Sequence, residues 1–228
     1  MAIRLKAIEE CRLELIAATQ GVPPLPCHMD NMPVHAARVS FGKEEDVRSE
    51  SEDARLMNYL AQHDHLTPFE YQHATFMIEC PLFIRSQIHR HRTFSFNEIS
   101  RRYTSDEIEF WKPTTWRGQA EKNKQGSEGE IRPLIAESLF KSHEAHCQIA
   151  VNAYETALNA GVAREQARAI LPQSLLTRFY MGGNLRNWVH FLKLRLDEHA
   201  QYEVRVIAQR IHKQLAILWP NSLEALMK

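Results

Sequence analysis

Glycine is scarce in this chain of 228 residues, which contains only 8. Neither GxGxxG nor GxxxxGK followed by Ser or Thr occurs in it. Those motifs let backbone N–H groups hold a diphosphate at the start of a helix, so their absence excludes a Rossmann or phosphate-loop nucleotide site. If the protein binds a nucleotide, side chains must hold it.

Net charge is also lacking, because 28 Lys and Arg residues balance 28 Asp and Glu residues. A surface that binds duplex nucleic acid carries a general excess of basic residues, and one that binds anionic lipid carries clustered positive charge. The composition as a whole shows neither. Charge that matters to a ligand must therefore be local.

The four cysteines form no CxxC pair, which argues against a disulfide framework and a zinc ribbon. No apolar run reaches the roughly 20 residues of a membrane span. Charged residues interrupt the apolar residues of the first 20 positions, unlike the core of a secretory signal. We expect a cytoplasmic protein in a reducing compartment.

A folded core is expected, because 44% of the residues are hydrophobic and 9% are aromatic. At about 100–200 residues per domain, we treat residues 1–228 as a single domain. Strand formers over Arg12–Ala18 and Gln72–Cys80 predict two strands. A capping-box spacing that begins at Ser49 predicts a helix over Ser49–Gln62.

Two segments are predicted to be irregular, the proline-dense stretch Gly21–Pro26 and the polar stretch Thr114–Arg132, which we expect to be an exposed loop. Only helices are expected after it. They are Pro133–Ala160, Arg164–Leu171, a helix capped by Asn184, and an apolar series Val204–Leu218 that stops before Pro220. The predicted class is α+β, dominated by helices.

Arginine is concentrated in one segment. Residues 85–102 (RSQIHRHRTFSFNEISRR) contain five arginines and a single acid. Guanidinium groups this close repel one another unless an anion lies among them, and their paired N–H groups match phosphate oxygens. If Pro81–Arg92 is helical, then Gln87, Arg90 and His91 share one face. The segment favours a ligand that carries phosphate.

Two other interpretations of this segment stay open from the residues alone. It could be an ordinary solvated basic face. It could also be a module that binds single-stranded nucleic acid through residues 85–103, with Phe94, Phe96 and Tyr103 as stacking surfaces. The interleaved phenylalanines argue mildly against the first interpretation, and the zero net charge argues against the second.

A metal site is not expected. Two His-x-His pairs begin at His63 and His89, and such pairs can bind metal ions. However, two arginines lie within and beside the second pair, and no cluster of carboxylates or thiolates accompanies either. A nucleotide hydrolase that used Glu98 and His91 would need such a metal, so we predict neither.

Short motifs occur along the chain in a fixed order. Arg90-His91-Arg92 is followed after seven residues by Ser100, while AARVS spans 36–40, HLTPFE spans 65–70, and Asn-Leu-Arg spans 184–186. Together with Ala167-Arg168-x-x-Leu171-Pro172, these segments resemble the motifs of the flavin-dependent thymidylate synthases, whose signature is RHR-x7-S. The similarity runs from about Ala36 to Leu218.

The resemblance implies two sets of binding residues. The dUMP set is Gln87, Arg90, Glu98, Ser100, Arg101, Arg102, Arg168 and Arg195. The FAD set is Ser40, Thr67, Arg90, His91, Arg92, Glu98, Asn184, Arg186 and His190. It further implies a helix-rich α+β (α/β) domain with a small, mostly antiparallel sheet unlike a Rossmann domain, and a homotetramer with active sites between subunits.

The implied reaction converts dUMP to dTMP, with methylenetetrahydrofolate as carbon donor and FAD reduced by NADPH as hydride donor. Arg195 would stabilise negative charge that develops on the uracil ring. Arg102, Arg168 and Ser100 would fix the 5′-phosphate.

We expect no enzyme nucleophile, because no Asp-supported His is evident to activate Ser100 and no cysteine lies in a motif. His89 and Arg101 occupy positions that vary in the family and are expected to tune affinity only.

Overall fold

A computed structural model describes residues 3–20, 29–43, 49–105, 108–122 and 126–228. Its helices are α1 (Met32–Val39), α2 (Glu50–Gln62), α3 (Leu82–Ile88), α4 (Pro133–Asn159), α5 (Arg164–Ala167), α6 (Leu185–Arg195), α7 (Tyr202–Leu218) and α8 (Pro220–Met227). Its strands are β1 (Arg4–Lys6), β2 (Leu13–Ala18), β3 (His73–Pro81), β4 (Ser95–Glu98), β5 (Glu109–Trp111), β6 (Arg117–Gln119), β7 (Ser127–Glu130) and β8 (Leu176–Asn184). The proline-dense stretch Gly21–Pro26 lies outside the described residues.

An antiparallel sheet in the order β2-β3-β8-β4 lies at the centre of the fold. β3 and β8 pair along their whole length, from His73 opposite Asn184 to Pro81 opposite Leu176. A parallel pair of β1 and β5 and an antiparallel pair of β6 and β7 form two further, two-stranded sheets. A helix-rich fold with a small, mostly antiparallel sheet confirms the predicted class.

One face of the central sheet is buried against helices. Side chains alternate between the two faces of a strand, and Phe76 of β3 and Phe179 of β8 belong to the buried face. Trp188 of α6 is fully buried there, and its indole N–H lies 3.2 Å from the carbonyl oxygen of Ala74 and 3.1 Å from that of Gly183. These contacts fix α6 at the end of β8.

Several elements predicted from the sequence are confirmed. β2 and β3 are the two predicted strands, and α4 and α7 begin and end within two residues of their predicted limits. The capping box of α2 is formed, with the backbone N–H of Ser49 donating to a carboxylate oxygen of Glu52 over 3.0 Å. No helix in the described ranges combines the length and the apolar character that a membrane crossing needs.

The helix predicted over Pro81–Arg92 is shorter than expected, because α3 ends at Ile88. The ring of His89 packs on Phe96 and Phe179, with centroid distances of 4.2 and 4.9 Å. This packing holds the chain against the sheet and directs it into β4 instead of a further helical turn.

Two predictions about the second half of the chain are wrong. Thr114–Arg132 is not a featureless loop, because it contains the hairpin of β6 and β7. The contacts that hold this hairpin include an ion pair of 2.8 Å from Arg117 to Glu203 and the packing of Trp116, just before β6, on Phe140. The residues after it are not all helical either, because β8 is the strand that pairs with both β3 and β4.

Candidate active site

A cavity of about 720 Å³ lies beside the first turn of α3, the turn after β4 and the segment after α5. The predicted dUMP residues among those that line it are Glu98, Ser100, Arg101, Arg102 and Arg168. The strand β4 ends at Glu98, so the chain turns at Ser100 and presents consecutive polar side chains to this space. Five of the eight predicted dUMP residues are thus brought together.

Ser100 and Arg102 are joined by local hydrogen bonds at the rim of this cavity. The backbone N–H and the Nε–H of Arg102 approach Ser100 Oγ at 3.3 and 3.4 Å. The Arg102 guanidinium also lies 5.1 Å from the ring centroid of Tyr103. Arg168 is exposed, and its Nε–H donates to the carbonyl oxygen of Glu165 over 3.2 Å. Each guanidinium has five N–H donors, so both retain capacity for an anion.

Arg85 is a cavity residue that the sequence did not single out for the site. Its Nε is buried and lies 3.3 Å from Glu98 Oε1, yet within the described part of the chain it makes no hydrogen bond. Glu98 Oε1 accepts a hydrogen bond of 2.7 Å from Thr177. The ion pair with Glu98 holds Arg85 at the wall of the cavity, where its guanidinium lies beside other arginines and favours an anionic ligand.

A second group of predicted residues surrounds His91. Arg195, at the end of α6, donates its Nε–H to His91 Nε2 over 3.0 Å. The His91 ring packs against Phe191, with centroids 4.9 Å apart, and stands 6.1 Å from the ring of His190. Arg195 therefore reaches the predicted flavin residues through His91, although it lies off the helical face that Arg186 and His190 share.

Burial controls the charge of this second group. Desolvation, with smaller contributions from Arg195 and His190, lowers the pKa of His91 to about 4. Burial also lowers the pKa of Arg195, which remains a cation at neutral pH. His91 is therefore neutral at pH 7, with Nε2 as acceptor and the remaining proton on Nδ1.

Gln87 and Arg90 do not share a helical face with His91, because α3 ends between them. Gln87 lies in the last turn of α3, where its side-chain amide donates to the side-chain oxygen of Gln201, the residue before α7. Arg90 is exposed in the following turn, and its backbone N–H lies 3.3 Å from the Gln87 carbonyl oxygen. Gln201 is a second residue that motif matching missed.

The remaining predicted flavin residues lie around the start of α6. Asn184 caps this helix by accepting from the backbone N–H of Asn187 over 2.9 Å. Arg186 forms an ion pair of 2.5 Å with Glu70. Glu70 belongs to the 3-10 turn that begins at Thr67, so this pair ties that turn to α6. Asn187 Nδ2 donates to the carbonyl oxygen of Thr93 over 3.0 Å.

Three further flavin residues are exposed near these elements. Arg92 immediately precedes Thr93, and its side chain is exposed. Ser40 follows α1, which packs against the turn that begins at Thr67, and both Ser40 and Thr67 are exposed. The set thus offers cations, hydroxyls and amides in one region, which suits a ligand with both phosphates and ring edges.

The two groups of predicted residues do not share one cavity in the chain. Gln87, Arg90 and Arg195 belong to the predicted dUMP set but do not line the space beside Ser100. Arg85 and Gln87 are both on α3, with Arg85 lining the cavity and Gln87 bonded to Gln201. The isolated chain therefore presents two partial sites.

The nucleic-acid interpretation of residues 85–103 does not match this structure. Phe94 is buried, with its ring centroid 4.6 Å from that of Trp188. Phe96 is half-buried against His89. Both rings are therefore committed to packing within the fold, and of the three proposed stacking rings only Tyr103 is exposed.

The cysteines whose structure is described are buried. Burial is the main factor that raises the pKa of Cys11, to about 12, and it also raises the pKa of Cys80 and Cys147. A thiol reacts as its thiolate, so these three are poor nucleophiles at neutral pH. Cys27 lies outside the described residues.

Comparisons with known proteins agree with the motifs. The family model described as thymidylate synthase complementing protein matches residues 26–221. A flavin-dependent thymidylate synthase of Thermus thermophilus is 42% identical over 203 residues, which cover 87% of this chain and 73% of the relative. That of Thermosipho melanesiensis is 38% identical over 203 residues, covering 87% and 86%.

A solved structure is similar over nearly the whole chain. It is the UMP/dUMP methylase PolB from Streptomyces cacaoi bound with 5-Br dUMP, with a TM-score of 0.86 and 28% identity. The match covers 98% of this chain and 96% of that protein. The shared architecture therefore includes the central sheet and the helices that carry both groups of residues.

A helix-rich α+β fold with arginines clustered around a cavity separates this protein from the Rossmann and phosphate-loop classes of nucleotide-binding proteins. Its family match makes it an FAD-dependent methyltransferase that converts dUMP to dTMP. The chain belongs to the family of flavin-dependent thymidylate synthases, as its motifs predicted.

Proposed function

We propose that dUMP is held with its 5′-phosphate in the cavity of Ser100, Arg102 and Arg168 and its uracil ring against Arg195. The observation that carries this arrangement is the group of four arginines, Arg85, Arg101, Arg102 and Arg168, that lines one cavity together with Ser100. A phosphate dianion supplies acceptors for these donors. The base then extends away from the cavity, where a separate donor must meet it.

Arg195 has the properties that ring activation requires. The uracil ring reacts only if negative charge that develops on its carbonyl and ring-nitrogen atoms is stabilised. Neutral His91 accepts the Nε–H of Arg195, which fixes the guanidinium plane without neutralising its charge. The terminal N–H groups of Arg195 are then available to the ring. His91 acts here as a positioning residue.

We propose that FAD is held by Ser40, Thr67, His91, Asn184, Arg186 and His190, with the exposed Arg90 and Arg92 near its phosphates. These residues suit FAD, because they combine cations for its diphosphate with amide, hydroxyl and imidazole groups for the polar edges of its rings. FAD supplies the hydride when bound. NADPH would reduce it, and methylenetetrahydrofolate would supply the carbon.

The two partial sites are completed by different subunits of a homotetramer in this proposal. One subunit supplies Glu98, Ser100, Arg102 and Arg168, and another supplies Gln87, Arg90 and Arg195. Large apolar side chains that are exposed in the single chain support an assembly, since Leu134 and Ile149 of α4 are 83% and 65% exposed. Such surfaces are usually covered by a partner.

Mixing two variants that are each impaired at low dUMP concentration tests this assembly. Arg195→Ala and Arg168→Ala homotetramers are unfolded together, refolded as mixed oligomers, and assayed for dTMP formation. If each site takes Arg195 and Arg168 from different subunits, about one quarter of the sites regain both residues and activity returns. Activity that stays at the level of the separate variants would place both residues in one subunit.

The chemistry proposed here needs no enzyme nucleophile. The buried thiols support this, and so does the engagement of Ser100 Oγ by Arg102. A cytoplasmic location and a single domain over residues 1–228 stay predictions.

A further inference from the structure

Gln87 stands at the end of a chain of polar side chains that begins on the β6–β7 hairpin. Its amide donates to Gln201 Oε1, and Gln201 Nε2 donates to Glu203 Oε2 over 2.9 Å. The other oxygen of Glu203 accepts from Arg117 Nη2 over 2.8 Å. We call these four residues the amide relay. Gln87, Gln201 and Arg117 come from three different parts of the fold.

The hydrogen bonds of the relay can run in only one direction, because the relay ends at a buried carboxylate. Glu203 is 2% exposed, and a carboxylate can only accept hydrogen bonds. Gln201 must therefore turn its NH2 group towards Glu203, which leaves its oxygen facing Gln87. Gln87 must in turn donate with its own NH2 group. The carbonyl oxygen of Gln87 is thus the end of the amide directed away from Gln201.

Arg117 holds the carboxylate of Glu203 in this position. Its guanidinium pairs with the buried carboxylate and lies 5.0 Å from the ring centroid of Tyr202. Its Nε–H donates to Ser127 Oγ over 2.9 Å, across the hairpin. Without this cation the buried carboxylate would lose the charged partner that fixes its position. The orientation of both amides therefore depends on this pair.

We propose that the amide relay fixes Gln87 with its carbonyl oxygen towards the base of the nucleotide, and that this orientation makes the site select uracil over cytosine. The inference rests on the proposed function, in which the subunit that supplies Arg195 to the uracil ring also supplies Gln87, and it adds that Gln87 meets the base. Uracil has an N–H donor at N3, whereas cytosine has an unprotonated acceptor there. A fixed acceptor therefore matches uracil and opposes cytosine.

An unrestrained glutamine would not make this distinction. The two ends of its amide have the same shape, and rotation by half a turn exchanges the acceptor for the donor. Such a side chain could meet either base. A site that instead holds one orientation leaves buried polar groups unmatched when the wrong base binds, and this is the strong form of discrimination.

The experiment compares binding of dUMP and dCMP to the FAD-loaded enzyme by titration calorimetry. The selectivity is the dissociation constant of dCMP divided by that of dUMP. In Gln201→Met, which keeps the side-chain volume, this ratio should fall about tenfold, as expected for the loss of one oriented hydrogen bond. Glu203→Gln should lower it similarly, because a neutral amide can face Gln201 with either end. Glu9→Gln is the matched control, because Glu9 accepts a hydrogen bond from Tyr202, next to the relay, but does not belong to the relay. The ratio of dissociation constants in this variant should equal that of the wild type.

Variants of Gln87 separate this inference from the proposed function. Gln87→Met should weaken dUMP binding, and adding Gln201→Met to it should change neither dissociation constant further, because Gln201 acts only through Gln87. Unchanged dUMP binding in Gln87→Met would overturn the placement of Gln87 and the relay with it. Weakened binding in Gln87→Met, with the wild-type ratio kept in Gln201→Met and Glu203→Gln, would overturn the relay alone.

Discussion

Arg195 donates its Nε–H to Nε2 of His91 over 3.0 Å, and this direction requires a neutral imidazole. Burial, with Arg195 and His190 as further causes, lowers the pKa of His91 to about 4, so the requirement is met at neutral pH. A protonated His91 would have no acceptor for Arg195. The geometry of the proposed activating cation therefore depends on the charge of its neighbour.

Replacement of Arg195 by alanine should leave FAD bound but lower the rate of dTMP formation by about 10²–10³-fold, the usual effect of removing one preorganised donor. The checks are the flavin absorbance of the purified variant and release of the hydrogen at C5 of dUMP. Lys193→Ala is the control, because Lys193 is an exposed cation in the same last turn of α6. Turnover like that of the wild type in Arg195→Ala would contradict the assignment.

The His91 signal in an NMR titration of the folded protein should give a pKa of about 4 instead of 6.5. In Arg195→Leu this pKa should rise, because a neighbouring positive charge is removed, but it should stay below 6.5, because desolvation is the larger cause. A His91 signal that titrates at the ordinary value in the wild type would show that the ring is not held neutral.

The same pKa shift makes stability depend on pH. The unfolded chain takes up a proton at His91 near pH 6.5, and the folded chain does so only near pH 4. The unfolded state thus binds more protons in this window, so the free energy of unfolding falls as the pH falls from about 6.5 to about 4. His91→Gln should remove part of this fall, as measured by urea unfolding at several pH values. Equal pH dependence in both proteins would count against the shift.

The parts of the fold that depend on residues close together in the chain could be predicted from the sequence, and the parts that depend on distant contacts could not. The capping box at Ser49 and the cap at Asn184 involve residues three positions apart, so the sequence shows them directly. β8 was missed although Leu176–Asn184 holds several strand-forming residues, which are followed by two glycines, Gly182 and Gly183, a residue type that is uncommon inside strands. These glycines pass close to Thr75 and Phe94, where a Cβ atom would lie 2.9 and 2.5 Å from side-chain atoms. Only the folded sheet reveals that requirement.

The residues of the candidate site likewise fall into those that motifs predicted and those that only the structure showed. The motifs predicted Ser100, Arg102 and Arg168 from residue type and spacing alone, and the structure brings these three residues to one cavity. Arg85 belongs to the arginine-rich segment, but its buried Nε became visible only in three dimensions. Gln201 has no motif signal, and its contact with Gln87 joins residues 114 positions apart. Long-range contacts of this kind leave no local pattern in one sequence.

Replacement of Asn184 by alanine should destabilise the protein by about 1 kcal/mol, because the side chain accepts from the backbone N–H of Asn187 at the start of α6. Asn184→Ser keeps a capping oxygen and should lose much less. Urea unfolding without added FAD measures both, since Asn184 is also expected to contact the flavin. Identical midpoints for the alanine and serine variants would show that the cap contributes little.

Arg102→Ala and Arg168→Ala should each weaken dUMP binding about tenfold or more, because each removes a guanidinium that can pair with the 5′-phosphate. The turnover rate at saturating dUMP should fall less than in Arg195→Ala, since neither group is expected to contact the reacting ring. Titration calorimetry with dUMP gives the dissociation constants, and deoxyuridine, which lacks the phosphate, should bind the wild type and both variants with similar affinity. Arg164→Ala is the control, because Arg164 lies on the same short helix as Ala167 but does not line the cavity. An unchanged dissociation constant for dUMP in both variants would remove the phosphate from this cavity and leave its arginines without a ligand.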